Sequence, residues 1–349
     1  MAESLTDTLQ WLVDIPSVIG NEATICTEID RRLEAAGIET VRCGNGLVAG
    51  ARTGKPLLLL VGHIDTVPEQ GQGPARIEGD RLHGLGSTDM KSGVALMVHL
   101  LESDQVRHGP YDVVGVFYDQ EEGPVANNQL APILDDQPWL CDAEFAVVLE
   151  PTDMRIELGC NGAMNVVCRF FGKSAHGARP WLGVNAITRA VPLLGVFADH
   201  EPVPFEQAGH VFYETMTVSM ASGGVSRNVV PGHFEFNVNY RFPPTMTIGE
   251  AESRFREFAQ LADELEFVDK APAAPIPEDN RHLDRLTELS GAELAPKQAW
   301  TDVARLEQYG IPAVNYGPGE VALAHQVDES VPLANLGIVF EHLTTFLTG

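Results

Sequence analysis

Leu57-Leu58-Leu59-Leu60-Val61 runs directly into Gly62-His63-Ile64-Asp65. The five aliphatic residues read as a short buried strand, and the imidazole and carboxylate beyond it stand where such a strand ends. The same grammar recurs downstream. Residues 111–118 run into Asp119-Gln120-Glu121-Glu122-Gly123, and residues 144–149 run into Glu150-Pro151. Between these strands, residues 90–101 read as a buried helix. Residues 21–36 place Ile25, Ile29, Leu33 and Ala36 at helical spacing before Gly37, a residue suited to ending a helix. Strands alternating with helices predict an α/β layered domain with a mostly parallel sheet.

The middle of the chain follows another order. A strand at 164–171, a helix at 183–198, strands at 214–221 and 233–241, a helix at 247–262 and a strand at 265–268 give βαββαβ, a ferredoxin-like module. The alternation is clearest where Phe234, Phe236, Val238 and Tyr240 share one face. Lys270-Ala271-Pro272-Ala273-Ala274-Pro275 reads as a linker back. Helix, strand and helix patterns then resume at 301–309, 311–316 and 333–347. The expected organisation is a discontinuous α/β domain, 1–158 and 272–349, with an inserted domain at 159–271.

Composition narrows the partners. The chain has 349 residues, 23 Lys and Arg against 49 Asp and Glu, and a net charge of −26. Such a balance argues against nucleic acid or an anionic membrane as partner. Apolar runs fall far short of the roughly 20 residues a spanning helix needs. The acidic Met1-Ala2-Glu3-Ser4-Leu5-Thr6-Asp7 start has neither the basic nor the apolar region of a secretory signal. Five cysteines, an odd number without a C-x-x-C pair, suit reduced thiols in the cytoplasm.

The chemistry-bearing residues sit at element ends. In an open α/β sheet, the loops after parallel strands share one edge. Parallel strands would therefore bring His63, Asp65, Glu121, Glu122 and Glu150 together with Asp89, which closes Gly84-Leu85-Gly86-Ser87-Thr88-Asp89 before a helix. So many carboxylates in one place require protons or a cation. Mixed imidazole and carboxylate ligands suit zinc, cobalt or manganese better than calcium or magnesium. Each motif alone has a plainer explanation: a hydrogen-bonded turn for His-x-Asp, a solvated acidic loop for Glu121-Glu122, a surface turn for His176. Their ordered combination is what points to a site.

Together these segments resemble the signatures of the M20 family of dinuclear metallopeptidases and deacylases. They are 62–68, 84–91, Glu121-Glu122-Gly123, Glu150-Pro151-Thr152, the 174–180 stretch around His176, and the late His325. The wording of 62–68, 87–93 and Trp300-Thr301-Asp302-Val303-Ala304-Arg305 is most similar to the actinobacterial type of succinyl-diaminopimelate desuccinylases. The resemblance implies two divalent cations, zinc first and cobalt or manganese as alternatives. His63 and Glu150 would hold one, Glu122 and His325 the other, with Asp89 bridging. Asp65 would accept the second N–H of His63, and Glu121 would be the general base, with Gly123 turning the loop so that both glutamates reach the site. His176 would face the developing oxyanion, commonly from a partner subunit, which implies a homodimer through the inserted lid domain. Arg179, Asn228, Arg241 and Thr301 would meet the substrate. The implied reaction is hydrolysis of the amide of N-succinyl-LL-2,6-diaminopimelate, on the route to lysine. Other N-acyl amino acid deacylases or carboxypeptidases of the family are the alternative, and a non-catalytic metal-binding homologue is a third. Gly159-Cys160-Asn161-Gly162 lacks the arginine of the Gram-negative desuccinylases, and Trp300 replaces a small residue. Cys160 reads as a packed thiol.

Overall fold

The computed structural model describes residues 4–349; the first three residues of the acidic Met1–Asp7 stretch lie outside the described residues. The chain forms two compact units, residues 1–159, 277–295 and 305–349 in one and residues 160–276 and 296–304 in the other. The expected insertion ended at 271 and left 296–304 with the α/β domain. In the structure that late segment belongs to the second unit, where Trp300 Nε1 donates to the Pro272 carbonyl at 2.9 Å and Cys160 Sγ to the Thr301 carbonyl at 3.8 Å.

The first unit is built on an eight-stranded sheet whose centre is parallel. Leu57–His63 pairs in parallel with Asp112–Tyr118 on one side and Phe145–Val148 on the other, and Ala313–Asn315 pairs in parallel with Phe145–Val148. Antiparallel partners flank this centre: a hairpin of Thr40–Cys43 and Gly46–Ala49 on one side, Ile156–Leu158 on the other. All seven residues of Leu57–His63 are buried, as an aliphatic run between two sheet faces demands. Each such Leu or Val contributes about 1.5–3 kcal/mol of transfer free energy. The helix Lys91–Glu102 is buried almost all round and packs beside Leu5–Asp14 and Leu333–Thr348. Its approach to the sheet needs Gly93, where a Cβ would lie 2.3 Å from the Leu149 carbonyl oxygen.

This sheet decides where the chemistry lies. Val61 stands opposite Val148 and His63 opposite Tyr118. The residues just past those ends, including Glu150, therefore emerge on the same edge.

The second unit has a five-stranded antiparallel sheet in the order Val203–Gln207, His210–Gly223, His233–Phe242, Gly162–Phe171, Glu264–Ala271. The last four give the order of a ferredoxin-like module. The edge strand Val203–Gln207, hairpinned to His210–Gly223, was not anticipated; its burial alternates only weakly, so the sequence carries little strand signal there. Met164, Val166, Phe170, Phe236, Val238 and Tyr240 form the core with Ala190, Leu193 and Phe197 from the helix Ala186–Ala198. Asn185 caps that helix, accepting from Ile187 and Thr188 N–H. A Thr247–Glu250 capping box starts Ile248–Phe258. Glu264–Ala271 absorbs the start of the stretch read as a linker.

Candidate metal centre

His63 ends its strand with its imidazole buried. Nε2 lies 3.2 Å from Asp89 Oδ1 and 3.9 Å from Glu150 Oε1. His325 reaches the same group from a late loop, its Nε2 2.9 Å from Glu122 Oε1 and 3.4 Å from Asp89 Oδ2. Asp89 thus turns one carboxylate oxygen to each histidine. That is the disposition of a shared ligand.

Two donor sets follow, His63 with Asp89 and Glu150, and Asp89 with Glu122 and His325; within each, the donor atoms lie within 4.8 Å of one another. Each set joins one imidazole to two carboxylates, a donor chemistry that fits divalent transition metals or zinc. Glu121 belongs to a third such cluster with His63 and Glu122. The residues present therefore fit a pair of divalent cations.

Electrostatics agree. Burial opposes charge on His63, but hydrogen bonds to Asp65 and Asp89 and the carboxylates of Asp65 and Glu150 raise its pKa well above the usual range. Hydrogen bonds to Asp89 and Glu122 raise His325 to about 10. Burial pushes the Asp89 carboxyl up, yet the bonds from His325 and His63 outweigh it and hold it below its ordinary value. Without a cation, the imidazoles carry the compensating charge.

Local backbone geometry delivers these side chains. The Glu121-Glu122 pair is turned by Gln120, in the left-handed region at φ +62°, two residues past Tyr118. Gly123, expected to make that turn, has no such conformation; a Cβ there would instead meet Ile19 Cδ1 at 2.4 Å. His325 is also left-handed, at φ +61°. Strained residues of this kind persist where surrounding structure holds them.

Asp65 differs in detail from its expected role. The nearest acceptor for His63 Nδ1 is the main-chain carbonyl of Asp65 at 3.1 Å, with the carboxylate at 3.5 Å. That carboxylate accepts the backbone N–H groups of Glu121 and Glu122 at 3.1 and 3.0 Å. Asp65 therefore orients the imidazole and pins the glutamate turn at once.

Sequence reasoning missed Glu329. It is buried and accepts the Gly86, Thr88 and Asp89 N–H groups. Burial raises its carboxyl to about 7 against those three bonds. One more acid in a chain with 49 of them carries no signal until the fold places it.

The second unit holds the other expected residues in two places. Ala175–His176 pairs with Val229–Val230, and Gly177 N–H donates to the Asn228 carbonyl, so His176, Arg179 and Asn228 share one exposed ribbon. His176 Nδ1 accepts from Ala178 N–H at 3.1 Å, which assigns the proton to Nε2. Arg241 lies elsewhere, on His233–Phe242 opposite Ala163, with burial lowering its pKa. Thr301 is buried, and among the described residues its hydroxyl has no hydrogen-bond partner. Burial raises the Cys160 thiol to about 11, as expected of a packed cysteine.

The sequence matches the profile of Peptidase family M20/M25/M40 over residues 59–348. It is 38% identical over 342 residues to a putative succinyl-diaminopimelate desuccinylase, DapE, of Mycobacterium tuberculosis, covering 97% of this chain and 96% of that protein. To the succinyl-diaminopimelate desuccinylase of Corynebacterium glutamicum it is 34% identical over 354 aligned positions, covering 97% and 95%. An N-acetyl-L-citrulline deacetylase of Xanthomonas campestris pv. campestris matches at 26% over the full length of both chains. Among solved structures, the aminopeptidase PepT of Bacillus cereus superposes with a TM-score of 0.80 at 19% identity, covering 99% of this chain and 97% of that one. The YXEP protein of Bacillus subtilis, a dinuclear metal binding peptidase of the M20 family, gives 0.73 at 16% identity, covering 99% and 96%. At those identities the solved structures speak for the fold alone. The profile and the full-length relatives carry the assignment: this chain is a hydrolase belonging to peptidase family M20.

Proposed function

We propose that the protein hydrolyses the amide bond of N-succinyl-LL-2,6-diaminopimelate, yielding succinate and LL-2,6-diaminopimelate, with zinc as the cation at both positions. The observation that carries the hydrolytic chemistry is Asp89, which offers Oδ1 toward His63 and Oδ2 toward His325. The choice of acyl group is supported by the two desuccinylase relatives at 34–38% identity over nearly the whole chain.

When bound, the two cations supply Lewis acidity to the amide carbonyl and to the attacking water. Glu121 takes a proton from that water on its carboxylate and passes it to the leaving amine nitrogen as the C–N bond breaks. His176, with its proton on Nε2, is the donor we assign to the carbonyl oxygen as negative charge develops. Arg179 and Arg241 supply guanidinium forks for substrate carboxylates. Asn228 and the Thr301 hydroxyl add neutral hydrogen bonds.

We also propose that two copies pair through the second unit. Trp181, Met220 and Val225 are 76%, 72% and 87% exposed there, large apolar side chains whose cover by a second copy would be favourable. All five cysteines are free, which supports a reducing, cytoplasmic setting. Among the described residues no helix is long and apolar enough to cross a membrane.

A second reading, deacetylation of an N-acetyl amino acid, is favoured by the end-to-end match to the acetylcitrulline deacetylase. Steady-state kinetics of the zinc-reconstituted protein on succinyl-diaminopimelate, acetylornithine and acetylcitrulline separate the two. We expect kcat/KM for the succinyl substrate to exceed the others at least tenfold; parity or a reversal defeats the desuccinylase reading. In the same assay Glu121→Gln should lower kcat by about 10²–10⁴-fold with zinc content unchanged. Loss of zinc in that variant would make Glu121 a ligand instead of the base.

A further inference from the structure

Glu329 is 2% exposed and stands four residues after His325, behind the turn that carries Asp89. Its Oε1 accepts Thr88 N–H at 2.9 Å and Asp89 N–H at 3.1 Å, and its Oε2 accepts Gly86 N–H at 3.0 Å. Its own carbonyl accepts Gly84 N–H at 3.1 Å. Four amides of one short turn therefore end on a single residue. The turn needs such an anchor, because Gly84 and Gly86 adopt φ of +147° and +79° and give it no stiffness of their own.

At the other end of the same late segment the tie is repeated. Glu320 N–H donates to Thr88 Oγ1 at 2.7 Å, and the Thr88 hydroxyl donates back to the Glu320 carbonyl at 3.4 Å. The segment carrying His325 is thus fastened to the turn carrying Asp89 on both sides of the histidine. These two ligands belong to one donor set. A buried carboxylate is costly to desolvate, and here its side-chain hydrogen bonds serve backbone amides at the site.

We propose that Glu329 is a positioning residue that locks the 84–89 turn to the 320–329 segment, setting Asp89 and His325 at ligand spacing before a cation arrives. The inference rests on the reading of Asp89 and His325 as ligands. A carboxylate is required because both oxygens must accept; an amide has one acceptor oxygen and would turn its NH2 group against either Gly86 N–H or the Thr88 and Asp89 pair.

The test uses the full-length chain stripped of metal, wild type and Glu329→Gln, titrated with Zn²⁺ against a chelating dye and with Co²⁺ followed by visible absorption. Glu329→Gln should weaken metal uptake about 10–100-fold and alter the Co²⁺ spectrum. Glu78→Gln, at an exposed side chain paired with Arg76, should bind within twofold of wild type. Affinity and spectrum unchanged in Glu329→Gln would overturn the proposal. If wild type itself takes up fewer than two equivalents, the ligand reading fails and the proposal falls with it. Should Glu329→Gln not fold, hydrogen exchange on metal-free wild type decides. Slow exchange at the Gly86, Thr88 and Asp89 amides supports the lock, and exchange at unstructured rates refutes it.

Discussion

A buried carboxylate in the second unit and a half-buried carboxylate pair in the first are neutralised in different ways. In the second unit, Glu214 is 2% exposed and meets a guanidinium, with Arg254 Nε and Nη2 each donating at 2.6 Å and the Tyr240 hydroxyl donating at 2.6 Å. In the first unit, Asp89 and Glu122 meet imidazoles. A guanidinium keeps its charge at every working pH, so the Glu214 cluster is complete in itself. An imidazole gives up its proton readily and has a lone pair to offer a metal. One arrangement builds stability, and the other builds a place for cations.

The largest test of this contrast is Asp89→Asn. Removing the shared carboxylate should empty the site of metal and reduce amide hydrolysis to background, as read by elemental analysis and kinetics, while the fold persists. Full metal content would mean that Asp89 is no bridge. Arg254→Ala should do the converse. It leaves Glu214 buried without its cation and lowers stability by about 2–3 kcal/mol, less than the 3–5 of a wholly buried pair because the Arg254 side chain is 37% exposed. Metal content should not change. Chemical denaturation compares the two variants directly.

The smallest effect is in pH. In metal-free protein the pKa of His325 is raised from 6.5 to about 10 by Asp89 and Glu122. Its stabilisation is full below pH 6.5 and is lost as pH rises through 10. Glu214 runs the other way. Burial raises its pKa, but Arg254 and Tyr240 outweigh that and lower it from 4.5, so its stabilisation is present above 4.5 and is lost on acidification below it. The melting temperature of metal-free protein should therefore fall between pH 6.5 and 10. Reloading with zinc should remove that alkaline fall, since a coordinated imidazole is already neutral. An unchanged alkaline limb after reloading would dissolve the distinction drawn here.

Much of the site was readable because strand ends are readable. An aliphatic run such as 57–61 announces a buried strand, and whatever follows it must emerge at the sheet edge. His63, Glu121, Glu122 and Glu150 were placed by that rule, and the structure brings them to one edge with Asp89 and His325. Other features had no local signature. Gln120 has a left-handed backbone that nothing in its side chain demands. Segment 296–304 follows a helix and strand of the first unit yet packs with the second, through contacts to Cys160 and Pro272 that lie far back along the chain. Val203–Gln207 is an exposed edge strand with little alternation to betray it.

The amino-acid order by itself determined the layered α/β class, the ferredoxin-like insertion and the presence of His63, Asp65, Asp89, Glu121, Glu122 and Glu150 at element ends, because hydrophobic period and residue chemistry are local properties; His325 had no such local signature and entered through family resemblance alone. Tertiary structure alone decided that Asp89 faces two histidines, that Asp65 and Glu329 spend their carboxylates on backbone amides, and that Arg254 answers Glu214. Those outcomes depend on distances between residues as many as 243 positions apart, and only the packed chain sets such distances.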